Sequence, residues 1–305
     1  MIAVYLFQKI EEAAVRYNDA RKNIGDFLLL KKSKIRDYSM QQIAEQTYTS
    51  KTTLFRYAQS MGYSGWKEFL QDFLEEANYT ENHYSEVDPN LPFMPNDTTE
   101  SIVKKITKIQ IESLEETADQ IDTYALDKAT SMILSSRYIV LFGISPNNLL
   151  GRVLKRKMES IGIIMSVASV DESGMVSAAL KEGDCAVIVS YSGNNDLREP
   201  MKYIKPLKDR GVNLIGITGG GNNYIRQNID CVLTISSRER LYSKISNFTS
   251  EESIMHIFNL LYACCFAQNF DENYTHKVQN SQELEYRRNA SLYSMREGEF
   301  DDLKE

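Results

Sequence analysis

The stretch Cys185-Ala186-Val187-Ile188-Val189-Ser190-Tyr191-Ser192-Gly193 decides the fold. It opens as a short apolar run with β-branched residues, the pattern of a buried strand. Two hydroxyls and a glycine follow where that strand ends. In an open α/β sheet, ligands bind outside the carboxyl ends of the strands. Gly193 lets a ligand come close to the main chain. A helix expected over 197–209 would offer free N–H groups to an anion. The corner reads as a phosphate site without an obvious catalytic apparatus, suited to sensing a phosphorylated small molecule.

Outward from this corner, strand-like runs at 138–142, 163–167, 186–190, 214–218 and 231–235 alternate with helical stretches such as 148–161 and 197–209. That alternation predicts a parallel sheet with right-handed crossovers. Residues 101–135 carry apolar positions at helical spacing, and an apolar helix at about 252–267 is expected to cover one face. The tail over 271–305 is polar and charged, a surface helix or partly disordered. Upstream, residues 1–77 read as helical without a proline. Between them, 79–100 holds Pro89, Pro92 and Pro95, half of the six prolines. That is a linker composition.

The chain has 305 residues, room for two domains at about 150 residues each. Its net charge of -7 excludes a uniformly basic coat but not a local basic face. No apolar segment approaches the ~20 residues of a membrane helix. The run Met1-Ile2-Ala3-Val4-Tyr5-Leu6-Phe7 lacks a basic flank and reads as the first turns of a core helix, not a signal peptide. Cys185, Cys231, Cys264 and Cys265 sit in apolar surroundings without CxxC spacing. Buried reduced thiols in a cytoplasmic protein are expected.

Residues 38–58 suit a helix-turn-helix. Ser39 can cap one helix burying Ile43 and Ala44. Ser50 can cap a second burying Leu54, Phe55, Ala58 and Met61, with Gly62 as its C-terminal stop. The exposed side of the second helix presents Lys51, Thr52, Thr53 and Arg56, groups that reach phosphates and base edges. Between Arg21 and Lys67 there are nine basic and three acidic residues, a local balance of +6. Pattern alone equally accommodates a plain helical interaction bundle.

This stretch resembles the DNA-binding domain of RpiR-family transcriptional regulators. The family order I-A, S-x-x-T-(apolar)-x-R-(aromatic), L-G-(aromatic)-x-G-(aromatic) is met by Ile43-Ala44, Ser50, Thr53, Arg56, Tyr57, Gly62, Tyr63, Gly65 and Trp66. Met61 stands where leucine is usual, and Thr49 where valine is frequent. The resemblance implies DNA contacts from Ser39, Gln41, Ser50, Lys51, Thr52, Thr53 and Arg56. It implies binding to operator duplexes as a homodimer or homotetramer.

The second half looks like a SIS (sugar isomerase) domain, whose S-x-S-G corner is met by Ser190-Tyr191-Ser192-Gly193. Asn195 stands where the family has a threonine. The first family corner, G-x-G-x-S, reads Gly143-Ile144-Ser145-Pro146-Asn147, with Asn147 at the ligand serine. Asn147, Ser190, Tyr191, Ser192, Gly193, Asn195, Thr218 and Glu239 are the implied ligand residues. Gly219-Gly220-Gly221 reads as a turn. The implied organisation is an all-α helix-turn-helix domain over 1–78, a linker over 79–100, and a three-layer α/β SIS domain with a five-stranded parallel sheet over 101–270. The polar tail completes it.

His83, His256 and His276 are the histidines, and only His256 lies where it could approach the site. No metal-ligand cluster or Ser/His/Asp arrangement is visible, and no cofactor is implied. The expectation is a non-enzymatic regulator controlled by a phosphorylated sugar. A phosphosugar isomerase or lyase, with Glu239 moving a proton, is the alternative.

Overall fold

The computed structural model describes residues 6–286 and 288–296. Met1 to Tyr5, most of the expected first turns, and residues 297–305 of the tail lie outside them. The N-terminal part is helical: α1 (Leu6–Arg16), α2 (Ala20–Lys31), α3 (Met40–Gln46), α4 (Lys51–Ser60) and α5 (Trp66–His83). They share a core of Ile24, Leu28, Ile35, Ile43, Leu54, Tyr57, Phe69 and Phe73.

Local chemistry sets the two helices of the motif. Ser39 and Gln42 form a reciprocal capping box at the start of α3. The Ser50 hydroxyl accepts from Thr53 N at 3.1 Å at the start of α4. Gly62, at φ 99°, follows the end of α4 in the left-handed conformation that favours glycine. One expectation fails here. Phe55 is 42% exposed and lies against Gly65, while Tyr57 takes the buried place. The apolar face runs through 54, 57, 58 and 61, the i, i+3, i+4, i+7 series, and Phe55 falls about 100° off it.

The long helix α6 (Thr99–Asp119) and α7 (Thr123–Ser135) lead into the sheet. The strands are β1 (Ile139–Phe142), β2 (Met165–Val167), β3 (Cys185–Val189), β4 (Asn213–Thr218) and β5 (Cys231–Thr234). They form one five-stranded sheet, all parallel, in the order β2-β1-β3-β4-β5. Val187 and Val189 pack on the side of α7, α8 (Asn147–Glu159) and α12 (Ser250–Gln268). Ala186 and Ile188 pack on the other side, against the elements around α9 (Ser173–Ala179), α10 (Ile204–Asp209) and α11 (Tyr224–Asn228). Both faces are covered, so β3 is apolar along its whole length.

The helix expected over 197–209 starts late. Turns occupy most of 194–200, a 3-10 turn spans Met201–Tyr203, and α10 begins only at Ile204. Pro200 restricts the residue before it, and Asn195 sits at φ 70°. α10 therefore presents no N-terminus to the corner. α12 is followed by α13 (Phe270–Leu284), a surface helix in which Asn273 is the buried residue.

Candidate functional site

The first site is the exposed surface of α3, the turn and α4. Lys51, Thr52 and Arg56 are exposed, and among the described residues no ion pair holds Lys51 or Arg56. Ser50 and Thr53 share a 2.9 Å hydroxyl contact, so both are oriented at the start of α4. Ser39 is exposed, and Gln41 donates to Glu45 at 2.7 Å. All seven residues expected to meet DNA lie on these two helices or their caps, and the basic pair is free to reach phosphate.

Arg56→Ala is expected to lower duplex affinity about tenfold or more while the fold persists, taking about 1–3 kcal/mol for a base-reading arginine. Fluorescence anisotropy against salt, beside circular dichroism, checks this. An unchanged affinity removes Arg56 from the interface.

The second site lies where the strand order reverses between β1 and β3, the switch point at which open α/β sheets bind ligands. Ser190 and Ser192 are half-buried there. The Ser190 hydroxyl accepts from Gly193 N at 3.3 Å. Among the described residues, the Ser192 hydroxyl has no protein partner. Asn195 is exposed on the following turn. Asn147 is buried and donates its amide to Val189 O at 3.3 Å, tying the first corner to the end of β3.

Three expected ligand residues lie beneath this surface. Thr218 is fully buried; its hydroxyl donates to Tyr191 O at 3.3 Å and accepts from Asn223 Nδ2 at 3.0 Å. The Tyr191 hydroxyl donates to Glu239 O at 2.7 Å and accepts from Glu239 N at 2.9 Å. Burial pushes that phenol well above its ordinary range.

Glu239 is 5% exposed, and its Oε1 accepts from Thr249 N at 2.7 Å, Thr249 Oγ1 at 2.7 Å and Ser250 N at 3.1 Å. Its Oε2 accepts from Ser250 Oγ at 2.7 Å and Lys244 Nζ at 2.9 Å. Burial pushes this carboxyl up, but the hydrogen bonds from Lys244, Thr249 and Ser250 together hold it below its ordinary value. Its place is the anchor of the N-terminus of α12. His256, on α12, is half-buried, and burial lowers its imidazole.

Sequence reading missed the residues that connect the halves. Glu12 on α1 accepts from Asn222 N at 2.8 Å. The Gln8 side chain of α1 lies directly on Gly220, where a Cβ would collide with it. Glu76 on α5 holds the start of α1, accepting from Leu6 N at 2.8 Å; burial pushes its carboxyl up to about 7. On the other side, Asn90 accepts from Arg240 N at 2.6 Å and from Ile245 N through its carbonyl at 2.9 Å. Arg238 pairs with Glu112 at 2.8 Å and stacks over Tyr84. The only local signal for these contacts was the glycine run itself.

Residues 4–78 match the helix-turn-helix domain of the rpiR family, and residues 132–261 match the SIS domain. The chain is similar to the Vibrio vulnificus NanR protein complexed with ManNAc-6P, with a TM-score of 0.57 and 17% identity over 92% of this chain and 97% of that one. It is similar to the sugar isomerase domain of the RpiR transcription factor from Sphaerobacter thermophilus, with a TM-score of 0.52 and 19% identity over 59% of this chain and 98% of that one. At such identities the likeness is one of fold.

A helix-turn-helix unit of this type joined to a SIS domain defines a DNA-binding transcription regulator with a sugar-phosphate-type sensor fold. The chain belongs to the RpiR family. Among the described residues, no helix is long and apolar enough to cross a membrane.

Proposed function

We propose that this is a cytoplasmic regulator whose affinity for an operator duplex is set by a phosphorylated sugar held at residues 190–193. A DNA-reading head over 1–78 is joined through 79–100 to a sensor over 101–270. The reading rests on the contrast between the hydroxyls and the carboxylate around the corner. Ser190 and Ser192 present oxygens at the switch point, and Asn195 adds an exposed amide. Glu239 is saturated by protein donors. Moving a proton between sugar carbons needs a positioned group with a free site. The corner is a receptor, and the chain is not an enzyme. The ManNAc-6P held by the NanR protein supports the ligand class.

A homodimer or homotetramer would set two heads against half-sites about 34 Å apart. The sugar acts by binding one arrangement of heads more tightly than another. The contacts of Gln8 and Glu12 with residues 220–222 give the sensor a direct hold on the head.

Thermal-shift titration with a panel of phosphosugars tests this reading. A hit should stabilise the protein by about 2.7 kcal/mol at a hundredfold excess over Kd. Ser192→Ala should remove that gain and the sugar's effect on DNA binding, leaving apo affinity unchanged. Interconversion of phosphosugars with turnover by the purified protein would overturn the sensor assignment.

A further inference from the structure

The turn between α3 and α4 places Tyr48 where glycine is the natural residue. Tyr48 N donates to Glu45 O at 3.2 Å and Thr49 N to Ala44 O at 2.8 Å, the paired hydrogen bonds that end a helix through a left-handed residue. Tyr48 is that residue, at φ 54°. A bulky side chain is disfavoured there, because its Cβ crowds the backbone. Burial returns nothing, since Tyr48 is 91% exposed. Among the described residues its hydroxyl has no partner. The folded chain thus carries a local strain that its own contacts do not offset.

Such outliers concentrate at functional sites, and the surroundings indicate which function. Tyr48 stands two residues before the Ser50 cap, beside the exposed Lys51 and Thr52 at the start of α4. The N-terminal residues of a recognition helix enter the major groove, so the turn before them faces the groove edge. Phosphate oxygens line that edge and accept from tyrosine hydroxyls.

We propose that Tyr48 is a DNA-positioning residue whose phenol donates a hydrogen bond to a phosphodiester oxygen of the duplex. The assignment rests on the DNA-binding reading of the head. Tyrosine is neutral, so the contact releases no counterion. A phosphate contact also carries no sequence information.

The test uses the full chain, a labelled duplex selected by the wild-type protein from a random pool, and a scrambled duplex of equal composition. Tyr48→Phe should weaken both duplexes by the same factor, about tenfold, with the salt slope unchanged. Tyr48→Gly should weaken both at least as much while raising the midpoint of denaturant unfolding, because strain is relieved. Opposite signs for stability and affinity are not expected of a structural residue.

Wild-type affinity in Tyr48→Gly overturns the assignment, as does a loss confined to the selected duplex or a lowered midpoint. If Arg56→Ala weakens binding and Tyr48→Gly does not, only the Tyr48 role falls. If the wild-type protein binds neither duplex, the DNA-binding reading falls with it.

Discussion

Gly193→Ala is expected to abolish the phosphosugar response and to destabilise the sensor by about 2–4 kcal/mol. Gly193 sits at φ 61°, where an alanine is strained by roughly 1 kcal/mol. Its Cβ would fall 2.5 Å from Thr218 Oγ1 and 2.6 Å from Asn223 Cγ. Neither neighbour can yield easily. Thr218 is fully buried, and Asn223 donates to it while its Oδ1 accepts from Arg226 N at 3.1 Å at the start of α11. Relieving the clash means moving the main chain of residues 190–193, the part that shapes the corner. Denaturant unfolding and the sugar-induced thermal shift, measured together, check both halves of the expectation. A variant as stable as wild type that still responds to a sugar would show that the corner is not packed this way.

Glu239→Gln should cost more, about 3–5 kcal/mol, because it removes one charge of a buried pair. The amide would leave Lys244 without its counter-charge and place donors before the Ser250 hydroxyl. Glu239 also gives the stability a pH sign. Its folded-state value lies below the ordinary 4.5, so an unfolded chain takes up this proton first as the pH falls. The associated stability is present above 4.5 and is lost as the pH drops through the folded value. Glu239→Gln should therefore be less stable at neutral pH and show a shallower loss on acidification. Equal slopes for both proteins would remove Glu239 as the anchor of α12.

Most of the strands were legible because apolar runs rich in β-branched residues end at Gly, Ser or Thr, and both faces of the sheet are covered. The caps at Ser39 and Ser50 were legible for a similarly local reason: a hydroxyl a few residues before the first buried position. What escaped was direction. Residue 218 ends β4 and residue 239 follows β5, but sequence position does not say which way a side chain leaves the edge. Thr218 turns under the corner and Glu239 turns back to α12. Phe55 escapes because apolar character alone ignores the helical angle, and the late start of α10 depends on Pro200, which a helical pattern does not weigh. The contacts of α1 with residues 220–222 join segments about two hundred positions apart, and no local pattern encodes them.

The sensor meets α1 mainly with main chain: a bare Cα at Gly220 and an amide at Asn222. A surface of this kind asks little of the residues that supply it, and the side chains set against it, Gln8 and Glu12, belong to the head. Exchange of heads between sensors of this build thus depends on transplanting Gln8 and Glu12 together with the segment that carries them. The same economy makes the joint sensitive, since a side chain added at Gly220 would displace the Gln8 side chain from it.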